Sequence, residues 1–181
     1  HLDYRMKRGV AVGQDFMWDL KDLGIGKFEA YHAWDQDVVN ADKDSNWRSN
    51  IDEERYRFKL RHDADLTERD QFLLRGTIDS DSEVAADFFQ RDQRNESTPA
   101  NFASLEHREH TWASGAMVSG PMNNFYGGTS RLPEGWLNIE PQLVLDSGLI
   151  YESQTRAGYL ERQAAYYKGA VFPYAYYPGA W

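Results

Sequence analysis

Hydrophobic and polar residues alternate with a period of two from the first residues of the chain. Even positions run Leu2, Tyr4, Met6, Arg8, Val10, Val12, Gln14, Phe16, Trp18 and Leu20, while the odd positions hold mostly Asp, Arg, Lys, Gly and Ala. A helix would scatter the first set around its circumference, whereas a strand puts it on one face. The spacing predicts one long strand over residues 2–20. The segment Lys21-Asp22-Leu23-Gly24-Ile25-Gly26, with two glycines, suits a tight turn, and a second alternating run follows through Phe28, Ala30, His32 and Trp34. The two runs read as a hairpin.

An acidic, polar stretch near 37–52, with Asp42, Asp44, Ser45, Asn46, Ser49 and Asn50, has no sustained period and predicts a long loop. The cleanest alternation follows: Arg55, Arg57, Lys59 and Arg61 fall on one face, and Tyr56, Phe58, Leu60 and His62 on the other. A short Thr67-Glu68-Arg69 connection leads to a strand over 70–81 with Phe72, Leu74, Gly76 and Ile78 in register. Residues 82–99, ending in Gln93-Arg94-Asn95-Glu96-Ser97-Thr98-Pro99, predict a second long irregular segment. Strands near 100–108 and 111–120 turn around Glu109 and His110. A third polar connection over 121–134 carries Pro121, Asn123, Asn124, Gly127, Gly128 and Pro133, residues that break regular elements. Strands at 135–143 and 149–160 are joined by Asp146-Ser147-Gly148.

Connections therefore alternate short and long along about eight strands. That is the serial pattern of an all-β, antiparallel up-and-down meander, with tight turns at one rim and large loops at the other, as in an outer-membrane β-barrel. A Greek-key sandwich has less reason to alternate so regularly. Residues 1–160 read as one barrel segment. Residues 161–181, with Tyr166, Tyr167, Phe172, Tyr174, Tyr176, Tyr177 and Trp181 beside Pro173 and Pro178, read as an aromatic loop or a strand cut off from its partner.

Composition narrows the classes. The 181 residues include 6 Trp, 11 Tyr and 9 Phe, too many large rings for a disordered solvating tail despite a mean hydropathy of -0.75. A net charge of -9 argues against a general affinity for nucleic acid, which needs clustered cations to displace counterions. With no cysteine there is no disulfide framework, thiol nucleophile or Cys-ligated zinc. No run approaches the roughly 20 apolar residues of a spanning helix, but spanning barrel strands keep mean hydropathy low and escape that test. The start at His1, with neither initiator Met nor signal peptide, reads as a processed product or an excised segment.

Candidate chemistry is sparse. Asp81 and Asp87 beside Phe88 and Phe89 could be drawn as a glycosidase carboxylate pair, but six residues across a strand end fix no separation, and no catalytic residue is assigned. His107-x-x-His110 falls on a predicted turn, while His32 and His62 lie on separate strands, so no metal site is expected. Gly127-Gly128 lacks the lysine and helix of a phosphate loop, and no cofactor is implied. Trp18, Trp34, Tyr56, Trp112, Trp136 and Tyr151 fall toward strand ends, where an aromatic girdle would place them at headgroup level. In a soluble protein the same rings would form a core or a sugar-stacking surface. A soluble sandwich or barrel binding carbohydrate through Trp and Tyr is accordingly the alternative, and a sandwich predicts two packed sheets.

Several motifs in order resemble a known family. Ser80-Asp81 followed by Asp87-Phe88-Phe89, then Arg131-Leu132-Pro133-Glu134, then Tyr151-Glu152-Ser153 followed by Ala157-Gly158-Tyr159-Leu160 are similar to the barrel region of the LPS-assembly protein LptD family, also called OstA or organic-solvent-tolerance protein. The likeness covers roughly residues 1–165. It implies a non-enzymatic barrel in the cell outer membrane that releases lipopolysaccharide into the outer leaflet, partnered by an LptE-like plug lipoprotein and periplasmic bridge proteins. It also implies an internal segment, without the family's periplasmic jelly roll and closing strands. The family's gate prolines lie in its first barrel strands; no proline precedes Pro99 here, so no gate residue is assigned. The first run enters a short turn, which, if short turns are periplasmic, expects at least one strand before it.

Arg55, Arg57, Lys59 and Arg61 are the candidate ligand-binding set. Four cations on adjacent pleats repel unless something compensates them. In a barrel they would face the lumen and meet phosphates or acidic sugars of lipopolysaccharide, for which guanidinium forks and ammonium charges are suited. The plainer reading neutralises them with carboxylates of neighbouring strands, such as Asp79 or Glu106, and turns the apolar face to lipid.

Overall fold

The computed structural model describes residues 2–6, 8–36, 38, 51–95, 98–145 and 147–165. They form nine strands, two short α-helices and a single 3-10 turn (Lys21–Leu23): β1 (Leu2–Arg5), β2 (Gly9–Asp19), β3 (Ile25–Asp35), β4 (Glu54–Asp65), β5 (Asp70–Asp79), α1 (Val84–Phe88), α2 (Gln90–Asn95), β6 (Phe102–Arg108), β7 (Trp112–Ser119), β8 (Gly128–Val144) and β9 (Leu149–Gln163). All nine strands make one antiparallel sheet in sequential order. The up-and-down all-β meander is thus observed, and the two packed sheets of a sandwich are not formed among the described residues. The turns after β2, β4, β6 and β8 gather at one rim, and the connections after β3, β5 and β7 at the other. Neighbouring strands slide past one another: register carries Asp19, the last residue of β2, through Ile25, Asp63, Leu73, Ser104 and Met117 to Glu134 in mid-β8. Such stagger accompanies strands inclined to a common axis.

Four expectations are corrected. The run over 2–20 is a hairpin, not one strand, with the Arg8 N–H donating to the Arg5 carbonyl at 3.0 Å and Gly9 at φ +98°. Alternation hides this turn because Leu2 pairs with Val12 and Tyr4 with Val10, so even residues keep one face on both sides of it. β1 also begins on the side of the short turns, and not at the opposite rim as a single strand over 2–20 would. Residues 82–99 are not irregular throughout: α1 and α2 form there because the segment docks on the sheet, burying Val84 and Ala85. Tertiary contact, rather than intrinsic propensity, stabilises helices this short. Strand β8 starts at Gly128, inside the expected connection, and absorbs Pro133 at a register shift between Arg131 and Glu134, beside a cis Leu132–Pro133 bond. The loop expected near 37–52 lies outside the described residues except for Val38, Ile51 and Asp52, and the aromatic segment lies outside them from residue 166 onward.

The two faces of the sheet are chemically opposite. One carries Val10, Val12, Phe16, Phe28, Trp34, Tyr56, Phe58, Ile78, Leu105, Trp112, Val118 and Leu137, and each of these is exposed, Phe16 at 60% and Leu105 at 48%. The other carries Asp35, Arg55, Arg57, Thr77, Asp79 and Glu134, which are buried. Ala11, Tyr31 and Ala33 form a small core on that charged face, closed over by Phe88 and Phe89. A water-soluble sheet arranges these faces the other way round.

Candidate functional site

The centre of the charged face is Arg55, whose side chain is 1% exposed. Its position on β4 places it opposite Ala33 on β3, two residues from Asp35 at the end of that strand. The fork formed by Nε and Nη2 donates to Asp81 at 3.0 and 2.7 Å, and Nη1 donates to Asp35 at 3.0 Å and Asp87 at 2.6 Å. Arg8, from the β1–β2 turn, donates to Asp35 at 3.3 Å and to Asp87 at 2.9 Å. Two guanidinium groups therefore meet three carboxylates. Asp81 is further held by the Ser80 hydroxyl at 2.7 Å and the Glu83 N–H at 2.9 Å, which ties the cluster to the start of α1. Phe88 caps it, its ring centroid 4.9 Å from the Arg5 guanidinium, 5.4 Å from that of Arg8 and 5.1 Å from that of Arg55.

Electrostatics follows from this geometry. Burial works against the charged form of Asp87, but hydrogen bonds from Arg8 and Arg55 more than offset it, and its pKa lies below the usual aspartate value. The same contact with Asp87 raises the pKa of Arg8. On the far side of the segment, the Tyr126 hydroxyl, raised in pKa by burial and then by Asp79, reaches Asp79 at 3.4 Å. Asn123 anchors the same strand end, accepting the Asp79 N–H at 3.1 Å.

The four-residue basic row is divided in two. Arg55 and Arg57 are buried and committed to carboxylates of the chain itself: Arg57 lies 3.4 Å from Asp79 and 3.8 Å from Asp92, with its guanidinium 4.7 Å from the centroid of Phe89. Lys59 meets Asp92 at 3.2 Å. Arg61 is exposed and has no ion pair among the described residues. Of the two neutralising carboxylates the sequence suggests, Asp79 serves. Glu106 does not: it pairs with Arg108 near the short-turn rim. Asp35, Asp81, Asp87 and Asp92 take its place. Sequence reading misses Asp35, Asp92 and Arg8, although Arg8 shows as a lone charge in an apolar alternation. Asp92 lies on α2, whose docking no local pattern announces.

Ser80, Asp81, Asp87, Phe88 and Phe89 are thus brought together with the basic row. Asp81 and Asp87 converge on a single guanidinium rather than flanking a cleft. Arg131, Leu132, Pro133 and Glu134 meet Gly158 at the β8–β9 register shift. Arg131 Nε donates to Glu134 at 2.9 Å, and a Cβ on Gly158 would lie 2.8 Å from both the Glu134 Cα and the Pro133 carbonyl oxygen. Tyr151, Glu152 and Ser153 stand apart near the start of β9, with Ser153 paired opposite Ile139.

Rings gather near both rims of the apolar face. Near the short turns, Trp18 Nε1 donates to His62 Nδ1 at 3.2 Å, and His107 lies 5.1 Å from Trp112 by ring centroids. His107 also bonds Asp70 at 2.6 Å, and Tyr151 stands on the same face. Toward the long connections, His32 and Trp34 stack edge to face beside Tyr56. Trp136 is the exception: it lies on the charged face over Gly115, where a Cβ would be 2.6 Å from the indole, so it does not belong to a girdle. No described helix is long and apolar enough to cross a membrane. Comparison with protein-family models finds no match, and a search of curated proteins finds no relative.

Proposed function

We propose that this chain supplies strands of an outer-membrane β-barrel, and that the barrel takes part in assembling lipopolysaccharide into the outer leaflet, as the LptD-like motifs imply. The observation that carries the membrane half is the inverted sheet. Large apolar side chains from β2 to β8 are exposed together on one face, while Asp35, Arg55 and Asp79 are buried on the other. In water that apolar patch would drive association; against hydrocarbon it is the stable arrangement, with polar residues facing a lumen. Trp18, Trp34, Tyr56 and Trp112 near the strand ends support the same placement. A bilayer also requires the outer edges of β1 and β9 to be paired, by each other or by further strands, because unpaired N–H and C=O groups are costly in hydrocarbon.

The cargo half rests on the motif order alone, and the plug lipoprotein and periplasmic bridge proteins come with it as expected partners. The test is made on the whole protein in its own cells. Membrane fractionation with heated and unheated electrophoresis should give a heat-modifiable outer-membrane band, and depletion should reduce surface lipopolysaccharide. A soluble band whose mobility is insensitive to heating overturns the membrane reading. An outer-membrane band with unchanged surface lipopolysaccharide on depletion overturns only the cargo.

A further inference from the structure

On the charged face, beside the ionic cluster but separate from it, lies a cavity of about 250 Å³. Lys59, Arg61, Arg75, Thr77, Ala100 and Phe102 line it, and no carboxylate is among its lining residues. Register explains the crowding of cations: Arg61 on β4 pairs directly with Arg75 on β5 and, on its other side, with Lys27 on β3. Like charges directly opposite one another destabilise a sheet unless each has a counter-charge. Lys27 has Asp15 at 2.9 Å and Glu29 at 2.7 Å, and Arg75 has Asp63. Arg61 has none among the described residues, although it stands between the other two. The hydrogen bonds of Arg75 to Asp63 and to the His62 and Leu74 carbonyls all run through Nη1, so its Nε and Nη2 do not share in them.

We propose that this cavity binds a phosphoryl group, with Arg61 and Arg75 as guanidinium donors and Lys59 as the third cation. Tetrahedral phosphoryl oxygens match paired guanidinium forks, and an ammonium adds a point charge that needs no fixed geometry. The apolar wall of Ala100 and Phe102 suits the organic part of a phosphoester. The site differs from the sequence-derived row: Arg55 and Arg57 are buried among their aspartates, whereas Lys59 and Arg75, although paired with Asp92 and Asp63, remain partly exposed, and Arg75 joins the row from β5. The proposal rests on the export reading only for the source of the phosphate, which could be a lipid headgroup or a free anion.

The test is titration calorimetry of the full-length protein in neutral detergent, with inorganic phosphate as one probe and micelles doped with phosphatidic acid, against diacylglycerol-doped micelles, as the other. Saturable binding of either phosphate probe is expected, weakened about tenfold or more in Arg61→Ser, the loss of one charge-assisted contact. Arg108→Ser, which removes an equal charge near the short-turn rim, should leave it unchanged. Binding of phosphatidic acid alone identifies a lipid-borne phosphate; binding of both identifies the phosphoryl group itself. Arg61 has no ion pair among the described residues, so the variant is expected to retain the fold, checked by its heat-modifiable band. Absence of saturable binding by both probes, or binding indifferent to Arg61→Ser, overturns the proposal. Either result leaves the localisation test of the barrel untouched.

Discussion

Arg55 shows how a single side chain can organise a face of the molecule. It is buried with Asp35 and Asp81 around it, so removing it leaves carboxylates without their main counter-charge in a poorly solvated place. Arg55→Met should therefore destabilise the fold by about 3–5 kcal/mol, read as a lower denaturant midpoint for loss of the heat-modifiable form. Arg108→Met, at a side chain 73% exposed, should fall within about 0.5 kcal/mol of the parent. Gly158 makes the corresponding steric case. An alanine there would force the backbone of Pro133 and Glu134 away from β9, and Gly158→Ala should cost about 1–3 kcal/mol and speed amide exchange across the β8–β9 pairing. An unchanged exchange pattern would show that the strands separate freely at this point. The alternating pattern announces Arg55 as inward-facing, but no local signal announces that Gly158 lies against Pro133, because that contact exists only once two strands twenty-odd residues apart are in register.

At the scale of elements, the α1–α2 segment is fastened to the sheet by ion pairs and by Phe88 and Phe89 over Tyr31. The pKa of Asp87 is lower in the folded chain than in the unfolded one, so its stabilisation is complete above the unfolded value, about 4, and is lost as pH falls through the folded value. Acid should thus release the segment before it disrupts the sheet. Pepsin, which cleaves between aromatic residues, should spare Phe88–Phe89 at pH about 4.5 and cut it at pH about 2. Asp87→Asn should be cut at both. Protection at both pH values in the parent would mean that packing, and not charge, holds α1 down. The strands of this region were legible because period two survives in them. The helices were not, since Ser82 to Asn95 carries no amphipathic repeat and becomes helical through its docking partners.

For the whole molecule, the orientation of the sheet in its solvent decides the sign of a substitution. Phe58 is on the exposed apolar face and Ser104 on the charged face. If the apolar face meets lipid, Phe58→Arg should reduce folding into phospholipid vesicles by about 2–4 kcal/mol, while Ser104→Arg should be tolerated. A water-soluble sheet predicts the reverse for Phe58, with improved solubility. The fraction of heat-modifiable protein recovered from vesicles distinguishes the two, and equal recovery of Phe58→Arg and parent would sink the lipid-facing assignment.

Period-two patterning and turn chemistry, both properties of neighbouring residues, suffice to specify an antiparallel meander and to name which side chains share a face. They place Arg55 to Arg61 opposite Tyr56 to His62 without any knowledge of pairing. They do not count strands where a turn preserves parity, as at Arg8 and Gly9, nor see a strand continue through Pro133. The tertiary structure alone decided which carboxylate meets which cation. Asp35, Asp81, Asp87 and Asp92 come from β3, the β5–α1 connection and the two helices, and only strand register and helix docking bring them within hydrogen-bonding or ion-pairing reach of the row. By the same register Arg61 is left between two other cations and Arg75 becomes its neighbour, because pairing across a sheet depends on where strands start and turn, which no single segment encodes.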